Sequence, residues 1–324
     1  MSCQIRRNNY REYKVLLQEA KKLEILFAED VLLEEHFIES CSMLEDIEIY
    51  GSKISKAHDD ILKRLLLHQK TIIKLELNCT IINSSFLSVL HQSNIQELYL
   101  THLIFNQDII DFLCNGITNS KIKTLDLSYN DFINNSCFEK LCLCLPKTSI
   151  KFLFLCCCHI STEGSFHLFQ VIERTKIYYL DLFQNDIMDK GVECLCSNLP
   201  STKIKFIDIG KNNLSDASCR YFANILHKTK LQHLWLNDTE ITTNGIECIY
   251  NVIRNTYLVN FQYPLRLMSR FQFIPLFYEN RKKIRRYNQT IHFRNFLSIM
   301  EVKEIFYPEV FFIPELVDII LSFL

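Results

Sequence analysis

Fourteen cysteines and ten histidines are the side chains of this 324-residue chain best suited to covalent or metal chemistry. Six of the thiols crowd into residues 137–158: Cys137, Cys142, Cys144 and the run Cys156-Cys157-Cys158. Thiolates hold zinc, usually from Cys-x-x-Cys knuckles, or act as nucleophiles beside a histidine. No Cys-x-x-Cys pair occurs. Cys137 falls at an apolar position of a helical pattern, Cys158 at an inward turn position, and Cys156 and Cys157 are expected to point across the turn rather than at one centre. Cys194 and Cys196 flank Leu195 on a helix and read as surface thiols. His102 and His233 are the plausible bases, and they lie in distant parts of the chain. The G-x-S-x-G, H-E-x-x-H, Walker and G-x-G-x-x-G patterns are all missing. The reading is therefore no catalytic residue, no metal ligand and no cofactor, with a cysteine enzyme the weakest functional alternative.

A second chemistry, that of binding, is better represented. Phe152, Tyr179, Phe206 and His233 recur at intervals of 27, as do Phe154, Asp181, Asp208 and Trp235. Tyr99, Asp126, Tyr129, Tyr178 and Phe183 border the same columns. Rings ringed by carboxylates are the composition of a protein interface, provided the fold stacks them.

The stretch Ile177–Leu199 shows what would stack them. Its first half spells L-x-x-L-x-L-x-x-N-x-L, and Gly191, Leu195 and Leu199 follow at helical spacing. Copies begin at Leu44, Ile72, Ile95, Ile122, Ile150, Ile177, Ile204, Leu231 and Leu258, with steps of 28, 23, 27, 28, 27, 27, 27 and 27. Positions four and six of each copy are apolar or aromatic throughout, and position nine is Asn130, Cys158, Asn185 and Asn212 in the clearest units. Leu103 holds that position in the Ile95 unit, so a less regular turn is expected there. A single strand-helix unit cannot bury its own apolar face and needs neighbours.

Repeats of this length with a full helix resemble the ribonuclease-inhibitor class of leucine-rich repeats over about 44–265. The resemblance implies an α/β horseshoe: a parallel β-sheet on the concave side, α-helices on the convex side and helical caps at both ends. The expected organisation is a helical N-terminal cap over 1–43, with Leu23 and Ile25 as a degenerate strand, about nine repeats over 44–265, and a helical C-terminal cap over 266–324. Small residues at Gly164, Gly191, Ser218 and Gly245 should let each helix start close to the strand layer.

In that arrangement Tyr99, Asp126, Tyr129, Phe152, Phe154, Tyr178, Tyr179, Asp181, Phe183, Phe206, Asp208, His233 and Trp235 share the concave face. Exposed ring patches of this size mark a binding site. The expected occupant is a protein with a basic patch opposite the carboxylates. The competing reading is that the C-terminal segment folds back over the face.

The last residues, IPELVDIILSFL, resemble the first helix of an F-box, with Pro314, Glu315, Leu316, Ile320, Leu321, Ser322 and Leu324 matching. The resemblance implies docking of 313–324 on a Skp1-type adaptor and a role as a ubiquitin-ligase substrate receptor. The remaining F-box helices do not follow, and an amphipathic capping helix accounts for the same residues. The basic run 281–286 reads as a solvated helix face rather than a phosphate site.

The formal net charge of -1 predicts neither nucleic-acid nor membrane binding. No secretion signal or membrane span is read, so a monomer in the cytoplasm, or in a host cytosol, is expected. Low Gly with abundant Ile, Asn, Lys and Phe resembles leucine-rich-repeat effectors of intracellular bacteria or large viruses. The expectation is a non-catalytic scaffold that captures or inhibits a protein.

Overall fold

The computed structural model describes residues 2–6, 21–26, 43–54, 56–82, 84–132 and 135–270, together with 276, 277 and 280. The chain divides into two units, 1–281 and 282–324, and every described residue belongs to the first. Its frame is one sheet of eleven strands in sequence order, each parallel to the next. The strands are β1 Ser2–Arg6, β2 Lys22–Leu26, β3 Asp46–Ile54, β4 Lys74–Ile82, β5 Glu97–Thr101, β6 Thr124–Asp126, β7 Phe152–Phe154, β8 Tyr179–Asp181, β9 Phe206–Asp208, β10 His233–Trp235 and β11 Asn260–Gln262. The α-helices are α1 Lys56–His68, α2 Gln107–Ile117, α3 Asn135–Cys144, α4 Thr162–Val171, α5 Asp189–Asn198, α6 Asp216–Ile225 and α7 Thr243–Val252. The Ile72 unit has a 3₁₀ helix, Ser85–Gln92, in place of an α-helix, as its shortened repeat requires.

Positions four and six of the strands join the inner faces of the helices in one apolar cluster running from Leu23 to Leu276. Strand alternation then turns positions three and five to the opposite face. The register is strict: Phe152 pairs with Tyr179, Tyr179 with Phe206, and Phe206 with His233.

Asparagine closes the turn after the strand in the clearest units. Asn185 Nδ2 donates to the carbonyls of Leu155 and Leu182, and its Oδ1 accepts from the N–H of Cys158 and Ile160. Asn130, two units before, and Asn212, one unit after, bond in the same way. Beyond the turn, position eight adopts the left-handed region with no glycine: His102, Tyr129, Cys157, Gln184, Lys211 and Asp238 all have φ between 52° and 61°. Their N–H groups are held across the repeat, Cys157 to Phe183 O and Gln184 to Gly210 O. The units without the asparagine, at β3 and β4, keep pairing through Ile54 and Ile82 and run to nine residues each.

A second ladder closes each unit before the next strand. The hydroxyls of Ser120, Thr148, Thr175, Thr202, Thr229 and Thr256 donate to a carbonyl three residues back. Each accepts from the N–H two residues ahead. Helix starts are tied to the preceding helix: Asp189 of α5 accepts from Ser215 and Ser218, and Asp216 of α6 from Thr242. That contact, and not only the strand layer, is what the small residues serve. A Cβ at Gly191 would stand 2.7 Å from Ser165 Oγ, and one at Gly245 would overlap the Asp216 carboxylate.

At the N-terminal end the sheet contains the strand expected at Leu23 and Ile25 and adds another before it. Ser2–Arg6 and Lys22–Leu26 are strands in register with β3, so the repeat geometry extends two strands beyond Leu44. Leu23 and Ile25 bury as position-four and position-six residues do. The helical readings of 7–20 and 27–42, the basic run at 281–286, the F-box-like residues 313–324 and the closing helices after 271, apart from Leu276, Phe277 and Asn280, lie outside the described residues. No helix among the described residues is long and apolar enough to cross a membrane.

Candidate functional site

The columns form as the repeat predicts. Across β7 to β10 the rings make a continuous series: Phe154 to Tyr179 at 5.0 Å between centroids, Tyr179 to Phe206 at 4.0 Å, and Phe206 to Trp235 edge-on at 4.6 Å. Phe152 joins through Tyr178 and Tyr179, and His233 lies 5.6 Å from Phe206. Strands about 4.8 Å apart set this spacing, because it lies close to the thickness of a stacked ring.

The centre of the field is not open. Tyr179 and Phe206 are 0% exposed and Trp235 3%, with Phe154 and Tyr99 also buried. Tyr179 Oη, His233 Nδ1 and Trp235 Nε1 are closed off from solvent. This corrects the expectation of a wholly exposed ring surface. Rings on adjacent strands cover one another, so the face carries a second apolar layer. Access remains at its borders: Asp126, Tyr129, Phe152, Tyr178, Phe183 and His233 are half-buried. Tyr129 stacks on His102 at 4.8 Å, and Lys205 lies over the Tyr178 ring at 5.2 Å.

The aspartates have local work. One oxygen of Asp126 accepts from Ser128 N, one of Asp181 from Phe183 N and one of Asp208 from Gly210 N. Position five is thus an Asx-type cap on the turn. Where Phe154 replaces aspartate, Ser128 Oγ from the preceding unit accepts from Cys156 N instead. Asp181 and Asp208 are buried, which removes them from direct contact with a basic partner. Asp126 keeps partial access, and loss of water around its carboxyl, with Asp181 and Glu76 repelling it, pushes its pKa up to about 6.

The same face over β2 to β5 is ionic. Glu48 and Glu76 are each 6% exposed, and Lys74 Nζ lies 2.9 Å from Glu48 and 3.0 Å from Glu76. Lys22 meets Glu48 at 2.8 Å, and Tyr50 Oη donates to Glu76. Burial pushes the Glu48 carboxyl up, but the two lysines outweigh it and hold the group below its ordinary range. Lys74 also lies over the Tyr99 ring at 5.1 Å. Lys22, Asp46, Lys74 and Glu97 at position three, beside Glu24, Glu48 and Glu76 at position five, carried this signal in the sequence.

The cysteines divide by position. Cys158 takes the asparagine's inward place and donates to Leu127 O, while Phe132 N–H bonds to the Cys158 carbonyl. Cys137, Cys142 and Cys144 are buried in α3. Cys156 and Cys157, expected to diverge, bring their sulfurs to 3.3 Å because Cys157 has φ 54°, which turns the two side chains together. No cluster of three or more His, Cys, Asp or Glu suited to a metal exists among the described residues.

The family model described as "Leucine Rich repeat" matches residues 118–142 and 175–196. Mouse NACHT, LRR and PYD domains-containing protein 4E is 28% identical over 124 residues, 38% of this chain and 12% of that protein. Human NACHT, LRR and PYD domains-containing protein 13 is 26% identical over 163 residues, 48% of this chain and 16% of that protein. The chain therefore spans only a small part of the length of these relatives. A solved protein from Bacteroides fragilis shares 12% identity over 76% of this chain and 77% of its own, with a TM-score of 0.49. With the strand register and the inward asparagines, the family match places this chain among the leucine-rich-repeat proteins, whose domains generally mediate protein–protein interaction.

Proposed function

We propose that the chain is a non-catalytic scaffold that takes a protein partner on the ring-bearing face of its sheet, and acts by capturing or inhibiting that partner. One observation carries the reading: a series of rings over four adjacent strands on the face turned away from the helices. A fold needs no such layer there, and aromatic rings with a polar border are where interfaces concentrate their energy. The buried rings form a rigid bed, and Phe152, Tyr178 and Phe183 are the side chains a partner meets first. Glu97 and Asp126 lie beside them, which favours a partner whose apolar patch is bordered by Lys or Arg.

Affinity capture with the full chain beside Phe152→Ala/Tyr178→Ala tests this. Interface truncations of such rings cost about 2 kcal/mol or more each. A protein captured by the wild type should be lost from the variant, while folding is retained. An unchanged capture list removes the ring face as the binding site. The substrate-receptor alternative rests on the match of Pro314, Glu315, Leu316 and Ile320 to an F-box helix. Skp1 binding that survives deletion of 313–324 removes it.

A further inference from the structure

The near-zero net charge conceals a division between the two edges of the solenoid. Five consecutive turns lead into β6 to β10: SKIK, PKTSIK, ERTKIY, STKIK and HKTKLQ. Each carries two Lys or Arg, and Glu173 is their one acid. The opposite edge, where the strands end, bears Asp131, Asp186, Asp238 and Glu240, all exposed. Lys151, Arg174, Lys176, Lys203 and Lys230 are exposed, so the charge faces solvent.

The fold does not require these cations. The hydroxyl ladder that builds the turn is the same in His91-Gln92-Ser93-Asn94-Ile95-Gln96, which precedes the basic series and carries no Lys or Arg. Like charges one repeat apart also oppose one another. Burial, and after it Lys230, depress the Lys205 ammonium below its ordinary range. Lys121 and Lys123 do bond the turn before them, at Asn94 Oδ1 and Gln96 Oε1, but a row of like charges that oppose one another calls for an external anion.

We infer that the edge where the strands begin is a docking surface for an acidic protein segment, a run of Asp and Glu side chains in extended conformation. Five strands at about 4.8 Å span roughly 20 Å, which matches about six residues at 3.3 Å each. The five turns hold nine lysines and one arginine. Ammonium groups on flexible stems act as point charges and can follow carboxylates spaced along an extended chain without a fixed fork geometry. Tyr178 is the one aromatic side chain in these turns, too few for a platform on which bases stack. The surface and the sign of its partner both differ from those of the ring face.

The experiment measures fluorescence anisotropy of a labelled Glu/Asp peptide about a dozen residues long against the full chain. Parallel arms use a single-stranded oligonucleotide and vesicles containing phosphatidylserine. The wild type should bind the peptide at low salt and weaken steeply as salt rises. Lys151→Glu/Lys203→Glu should weaken it at least about tenfold, and Lys190→Glu/Lys211→Glu on the opposite edge should not. Circular dichroism melts verify that both variants fold. The inference is overturned if the wild type ignores the peptide, if it prefers the oligonucleotide or the vesicles, or if both variant pairs weaken binding equally.

Discussion

Tyr179 and Phe206 stack face to face, centroids 4.0 Å apart and ring planes 9° from parallel, and neither is exposed to solvent. They occupy the same position of adjacent repeats, on the face opposite the main core. The centre of that face is thus packed as an interior is, and its border is not.

This gradient predicts opposite behaviour for two phenylalanines two strands apart. Phe206→Ala should cost about 3 to 5 kcal/mol of stability, as truncation of a buried ring does. Phe152→Ala, half-buried beside Tyr178, should cost about 1 kcal/mol or less. Urea denaturation of both variants decides it. Equal, small losses would show that the ring layer is open in solution.

Asn185 makes bonds to both neighbouring units from one buried side chain. Asn185→Ala leaves the N–H of Cys158 and Ile160 and the carbonyl of Leu155 in a site closed to water. Each such group costs about 1–3 kcal/mol. The expected outcome is a loss of at least about 3 kcal/mol, with hydrogen exchange rising first at Cys158 and Ile160. Protection confined to its former level there would contradict the ladder.

How much of this was legible in the sequence follows from which forces repeat. Positions four, six and nine are fixed by burial and by inward hydrogen bonds, so they recur as Leu, Ile and Asn and could be aligned directly. The columns of Phe152, Tyr179, Phe206 and His233 followed from the same register. Their burial did not follow, because alternation places a side chain on a face without saying what its neighbours cover. Asp181 and Asp208 read as partner-facing acids, since a capped backbone N–H leaves no mark in a sequence. The strand at Lys22 was read as degenerate, and the one at Ser2 was hidden because Cys3 stands only 20 residues before its partner Leu23, well short of the common repeat. The basic edge was missed by summing charge over the chain, which cancels two edges of opposite sign.

Lys74 sits between two buried carboxylates, so its removal is the severe test of the ionic end of the sheet. Lys74→Met keeps the length of the side chain and deletes the charge, leaving Glu48 with Lys22 and Glu76, among the described residues, with no lysine within salt-bridge distance. Breaking a buried pair from one side costs about 3–5 kcal/mol. The variant should lose that much at neutral pH and recover part of it as the carboxyls are protonated in acid. A melting temperature unchanged at pH 7 would mean that the cluster is solvated.

Asp126 gives the opposite pH response. Its pKa rises from an ordinary 3.8 to about 6 in the folded chain, mainly because burial strips water from the carboxyl. A carboxyl whose folded pKa is raised favours the fold while protonated, and that contribution is fully present below about pH 4. It fades as pH climbs through about 6, since ionisation is then easier in the unfolded chain. Asp126→Asn keeps an oxygen to accept from Ser128 N and removes the titration. The variant should therefore be more stable than the wild type above pH 7, by on the order of 2 kcal/mol at most given the partial exposure of the group. The two proteins should converge below about pH 4, and denaturant titrations across that range measure the difference. A variant that is less stable at high pH would show instead that the ionised carboxylate supports the turn.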